Sequence, residues 1–370
     1  MKNEKMSIGA LRVTAVIAMT AFLAACGGGG GGGGNSTGAA APGGASTPVV
    51  PPAGATTPQT SVPAPTYGTT TMQQATFTQL NAYRLAMGVG QLSQDPLLDT
   101  SAQAHALYLD SNLANGSLTA LSHNETSSFA NYYGDTPLSR AQKAGAPVTE
   151  WISEVIAAGQ PQSSSTAYAS DCLRQYINTV YHLQDLTSTQ QTMGIGFQQS
   201  SGSYPNYSCV IDFGETAGVS GTPMTNGLNL SGGQQLPVGT AATSPLNNET
   251  GVALAMVAEN VNPAPDITTP GRPIMVRVNA ANQGDVLTVT SFTLTTSAGV
   301  SVPARIIVPS AALTGSTASA TADVNNALFP GVAFLLPLAP LAANTTYNWT
   351  FSGARDGSPI SISKSFTTGS

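Results

Sequence analysis

The sequence reads as an α+β protein: helices packed against a sheet, followed by an all-β sandwich. In the first part, apolar residues recur at helical spacing around 77–88 and 96–116, and short apolar strands follow at Met193–Phe197 and Tyr207–Phe213. Helices before and between strands imply a sheet with helices packed on it. From residue 273 onward, β-branched and aromatic runs alternate with turn clusters, as in a β-sandwich. Stretches rich in Gly, Pro, Ser and Thr bound both parts. The expected organisation is a leader at 1–25, a disordered linker at 26–71, a first domain at 72–216, a connection at 217–245 and a second domain at 246–370. Each domain is long enough to build its own core.

Lys2, Lys5 and Arg12 make a basic start, and residues 13–23 are apolar except for Thr14 and Thr20. A helix needs about 20 residues to cross a hydrocarbon core of about 30 Å, so this run is too short to span it. Basic, apolar and small-residue segments in that order mark a secretory signal. Leu23-Ala24-Ala25-Cys26 resembles the lipobox of bacterial lipoproteins. The resemblance implies cleavage before Cys26 and its modification with diacylglycerol and a fatty acid such as palmitate, which would make the partner a membrane. Gly27, rather than Asp, at the next position implies the outer membrane in a cell that has two, with the protein facing periplasm or exterior. The alternative is a plain signal peptide with an incidental cysteine. Gly27–Gly34 and the residues up to about 70 have little to bury and read as a coil. Such a coil would reach on the order of 35 Å.

Charged residues make up 8% of the chain, so Ser, Thr, Asn and Gln must supply its polarity. Net charge is −6, and cleavage after residue 25 would remove Lys2, Lys5, Arg12 and Glu4, leaving −8. An acidic chain with no Lys/Arg cluster excludes nucleic acid and electrostatic docking on anionic lipid. With Cys26 acylated, Cys172 and Cys209 remain, and in an oxidising compartment they are expected to pair. That bridge would contribute on the order of 3 to 4 kcal/mol.

The first helix places Phe77, Leu80 and Arg84 on one face and ends at Gly88. Pro96 opens the second helix, with Leu97, Ala104, Tyr108 and Ser111 on one face, and Asn115-Gly116 stops it. Within this domain, Asn81-Ala-Tyr-Arg84 with Gly88, Leu92, Asp95 and Leu97, then Ser122-His123, Arg140-Ala-Gln-Lys-Ala-Gly145, Ser153-Glu154-Val-Ile-Ala-Ala-Gly159 and Tyr176-x-x-Thr179-x-x-His182 occur in order. Met193-Gly-Ile-Gly-Phe197 and Val210-Ile-Asp-Phe-Gly214 close the series. These seven segments resemble the bacterial SCP-like extracellular domains of the CAP superfamily, named for cysteine-rich secretory proteins, antigen 5 and pathogenesis-related proteins.

The resemblance implies an α-β-α sandwich with a cleft lined by His123, Glu154 and His182. It departs from the family in three places. Tyr176 replaces a Trp, Val155 an Asn, and Asn178-Thr179 stand where many eukaryotic members have a second Glu near the second histidine. Two imidazoles and a carboxylate are a possible ligand set for a divalent metal such as zinc, with an open position for water, although no cofactor is required. They are equally a hydrogen-bonded cluster without turnover, or polarisers of a bound ligand. No residue is assigned as catalytic. His105, on the second helix, reads as structural or solvated. Ser122 adjoins His123, but sequence neighbours rarely face each other productively, and no Gly-x-Ser-x-Gly or His-Glu-x-x-His occurs. Glu125 and Asp135 read as surface loop charges.

In the second domain, runs at 273–278, 286–294, 300–308, 332–338, 346–351 and 360–366 read as strands. Tyr347, Trp349 and Phe351 alternate with Asn348 and Thr350, the period of a half-buried strand. The closing Ser365-Phe-Thr-Thr segment resembles bacterial Ig-like domains. With no histidine and few charges, this part reads as a spacer or adhesion module. The favoured expectation is non-enzymatic binding of a lipid, sterol-like or glycan ligand or a partner in the first domain's cleft. The alternatives are a metal-assisted hydrolase or peptidase and a purely structural or adhesive surface protein.

Overall fold

The computed structural model describes residues 54–202 and 204–370. The signal peptide, Cys26 and the glycine run lie outside them. The first part comprises α1 (Met72–Met87), β1 (Ser93–Gln94), α2 (Pro96–Ala114), α3 (Pro137–Ala144), β2 (Trp151–Gly159), α4 (Ser165–Ile177), α5 (Tyr181–Leu186), β3 (Thr192–Gln199) and β4 (Tyr207–Glu215). Local chemistry sets the helix ends. Thr71 and Asp95 accept backbone N–H bonds at the starts of α1 and α2, and Gly88 closes α1 at φ 81°.

The four strands form one sheet in the order β1-β3-β4-β2. On one side α1 and α4 bring Leu80, Tyr168 and Leu173 onto Val155, Ile195 and Ile211. On the other, α2 brings Ala102, Ala106 and Leu109 onto Ile156 and Val210. The expected α-β-α sandwich is therefore present. The two glycines of β3 make it possible. A Cβ on Gly194 or Gly196 would lie about 2 Å from the backbone of Leu98 or Ala102, so α2 lies directly on the strand. Cys172 of α4 and Cys209 of β4 form the expected disulfide.

The second part is all-β, as the Ig-like resemblance implies. Its strands are β5 (Ala241–Ser244), β6 (Glu249–Val252), β7 (Ile274–Val278), β8 (Leu287–Thr296), β9 (Ala304–Val308), β10 (Ala320–Ala322), β11 (Val332–Pro337), β12 (Thr346–Arg355) and β13 (Ser358–Thr368). They form two sheets, β10-β9-β11-β7-β5 and β6-β13-β12-β8. Ile274, Val276, Ile306 and Leu335 of the first face Phe292, Leu294, Trp349 and Phe351 of the second. Short β5, β6 and β10 escaped the sequence reading.

The five-stranded sheet has a second buried face. Met275, Ile307, Val332, Phe334 and Leu336 pack on Met87, Val89, Val180 and Leu183 of the first part. The two parts thus share a core. A spacer would expose that face, so its burial ties the second module to the first.

Two expected coils differ from expectation over the described residues. In the 26–71 stretch, Thr56 bridges to Gln234, the Gln59 amide donates to Gln234 Oε1 at 2.6 Å, and Val62 and Tyr67 pack on the core. Within 217–245, β5 joins the sheet, while Gln234 and Gln235 donate to the carbonyls of Gln91, Gln190, Leu230 and Gly232. Side-chain amides supply the order there that apolar residues supply elsewhere. Among the described residues, no helix is long and apolar enough to cross a membrane.

Candidate functional site

Glu154 lies at the centre of the site, on β2, opposite Asp212 of β4. The strand alternates, sending Val155 and Ala157 towards α1 and α4, and Ile156 to the α2 side. Glu154 is buried, and both its oxygens are engaged. His123, from the loop between α2 and α3, meets Oε1 through Nδ1 at 2.8 Å. Arg140 of α3 donates to Oε2 at 2.6 Å and to the His123 carbonyl at 3.0 Å. A carboxylate accepts only, so Nδ1 of His123 carries the proton and its Nε2 is left as an acceptor when the ring is neutral.

Behind this pair lies a second layer that the sequence reading missed. Glu125, expected on the surface, is buried. It accepts from the Tyr133 and Gly134 amides and meets His105 Nδ1 at 2.9 Å. The loop folds back over α2, and burial follows from those three bonds. His105 is buried too, with Nε2 3.0 Å from the Ser122 carbonyl. Both of its partners are acceptors, so both bonds form only when the ring is doubly protonated.

Burial pushes the Glu154 carboxyl up. The Arg140 guanidinium, followed by His105 and His123, outweighs burial and holds it below the usual carboxylate range. Asp212 moves the other way. Burial and then the neighbouring Glu154 raise its pKa.

His182 stands on α5 beside Tyr176, with ring centroids 5.7 Å apart. The family's second carboxylate is missing from the adjacent sequence, yet one is present in space. Glu259, 77 positions downstream, accepts from the Val180, Tyr181 and His182 amides at 2.9, 3.0 and 3.1 Å. Its Oε1 also lies 3.0 Å from His182 Nδ1 but off the bonding direction, so this contact is an ion pair when the ring is charged, not a hydrogen bond. Glu259 belongs to an extended strap from the second module, held to the first by the Val257 amide on the Asn178 carbonyl at 2.9 Å. Tyr181 donates to Asp323, and the Asn325 amide donates to Tyr181 at 2.8 Å. No local pattern announces Glu259, although it is the one charged residue between 251 and 264.

His123, Glu154 and His182 line one cavity of about 270 Å³, together with Leu121, Ile156, Gln175 and Asp185 of the first part, Asn226 of the connection and Val257–Val261 of the strap. The three residues expected to converge therefore share a cleft, but that cleft has walls from both modules. Asp185 looks into it, its pKa pushed up to about 6 by burial against the opposing pull of His182 and His123.

The donor set does not fit a metal. Glu154 is committed to Arg140 and His123, and no group of three or more His, Cys, Asp or Glu among the described residues is arranged to hold an ion. Nucleophilic chemistry fares no better. The Ser122 hydroxyl donates to the Asn124 carbonyl at 2.9 Å, leaving His123 without a serine partner.

A family model described as CAP, cysteine-rich secretory protein family, matches residues 77–213. No curated protein matches the chain.

Proposed function

Because residues 77–213 form a domain of the cysteine-rich secretory protein family, we propose that the chain is an exported envelope protein that binds a small ligand in its cleft and does not turn it over. The ligand class is a hydrophobic, sterol-like or glycan molecule. The anchor is the acylated Cys26, and the site of action is the outer membrane. What supports binding is a cavity of about 270 Å³ that joins apolar walls to a few convergent polar groups. What argues against turnover is Glu154. A general base must be free to take a proton near the working pH, and this carboxylate is held ionised by Arg140 and His123.

The test of binding compares the full chain with Val261→Trp. Val261 is 53% exposed and lines the cleft, so the larger side chain fills the cavity without entering the core. Solvent extraction and mass spectrometry should recover a bound small molecule from the wild type and none from the variant. Equal recovery from both would place the binding elsewhere. For the anchor, Cys26→Ser should move the protein out of the detergent phase, and unchanged partitioning would rule out acylation there.

A further inference from the structure

We propose that the cleft selects an amphiphile with a cationic amine head, held by Asp185 and His123, with its tail along the apolar wall shared by the two modules. The inference deepens the ligand-binding reading and rests on it. The hydrogen-bonding groups left over in the cavity carry the argument. His123 spends its N–H on Glu154 and offers Nε2 as an acceptor. Gln175 gives one amide N–H to Tyr207 at 2.9 Å and keeps its second N–H and its carbonyl oxygen. The Asp185 carboxylate faces the cavity with no hydrogen-bond partner among the described residues. His123 Nε2 and the Asp185 carboxylate call for donors on the ligand, while the Gln175 amide can meet either a donor or an acceptor.

Charge points the same way. Glu154, Asp185 and Glu259 line the cavity, and no Lys or Arg does. Arg140 neutralises Glu154 and the α5 amides hold Glu259, whereas Asp185 has no hydrogen-bonded cation and feels Arg277 only through space from outside the cavity, which leaves it the carboxylate open to a ligand. Carboxylates in a walled cleft attract cations and repel anions. Leu121, Ile156, Val257 and Val261 supply the apolar surface along which an alkyl chain would lie.

Titration calorimetry on the full chain at about pH 7.5 tests this with octylammonium, octanoate and 1-octanol, which share one tail. Octylammonium should bind at least about tenfold more tightly than either of the others. Asp185→Asn should reduce that preference about tenfold. Octanoate or 1-octanol binding as tightly as the amine would overturn the selectivity and leave the ligand-binding reading standing. Absence of heat from all three would count against both. The wild-type ranking alone decides the matter if the variant fails to fold. An octylammonium preference that survives Asp185→Asn in folded protein would remove Asp185 from the head-group site.

Discussion

Glu154 illustrates how a buried charge is tolerated. Its ionised form is matched by Arg140 at 2.6 Å and His123 at 2.8 Å, and the two partners are not equivalent. Arg140 is fully buried, whereas the His123 side chain is 36% exposed. Removing Arg140 leaves an uncompensated buried carboxylate, a loss of about 3–5 kcal/mol. Arg140→Met should show it in urea denaturation, with His123→Ala losing less. The deficit has a sign in pH. Glu154 in the wild type has a lowered pKa, so its contribution is present above the unfolded value and is lost as pH falls. Without Arg140 the carboxyl takes up a proton on acidification, so the gap between variant and wild type should narrow from pH 8 towards pH 5. An equal gap at both would mean lost packing, not lost charge. His123, Glu154 and His182 were legible through the ordered resemblance. Glu125 was misread because its loop position says nothing of burial, and Glu259 because it stands 77 positions from His182.

At the level of strands and helices, periodicity carried most of the fold. β12 alternates Tyr347, Trp349 and Phe351 with exposed residues, and it has one buried face. By contrast, β11 is buried at every position from Val332 to Pro337, which is the signature of a strand covered on both sides. That contrast was available in the sequence as the unbroken apolar run at 332–338. The strands that went unseen are short, and β5 lies in a stretch whose composition reads as linker. The disulfide joins α4 to β4 across 37 residues, and on chain entropy it contributes about 4 kcal/mol. A Cys172→Ala, Cys209→Ala double variant should lose that amount in denaturant while keeping its secondary structure by circular dichroism. A loss below about 1 kcal/mol would mean that the unfolded chain is already restricted there.

Residues 54–370 form one compact unit, and the core shared by the five-stranded sheet with Val180 and Leu183 is its keystone. Calorimetry should therefore give one transition, and two resolved transitions would contradict the shared core. The transition should also depend on pH in a specific sense. Burial pushes Glu150 and Glu215 up to about 7 each. Raised carboxyls bind protons in the folded state that the unfolded chain has already released. Their contribution is thus full below about pH 4.5 and lost as pH rises through about 7. Tm should fall between pH 5 and 8, and Glu150→Gln with Glu215→Gln should flatten the slope. An unchanged slope would assign the dependence to other groups.

The strap has a consequence for ancestry and engineering. A recombination point anywhere between residues 216 and 246 would transmit helix α5 without the carboxylate that binds three of its amides, and His182 without its acidic neighbour. The cleft is therefore inherited whole or not at all. A graft of residues 72–216 onto another scaffold would carry half a site, and libraries that shuffle the two modules independently would sample open grooves in place of the walled cavity.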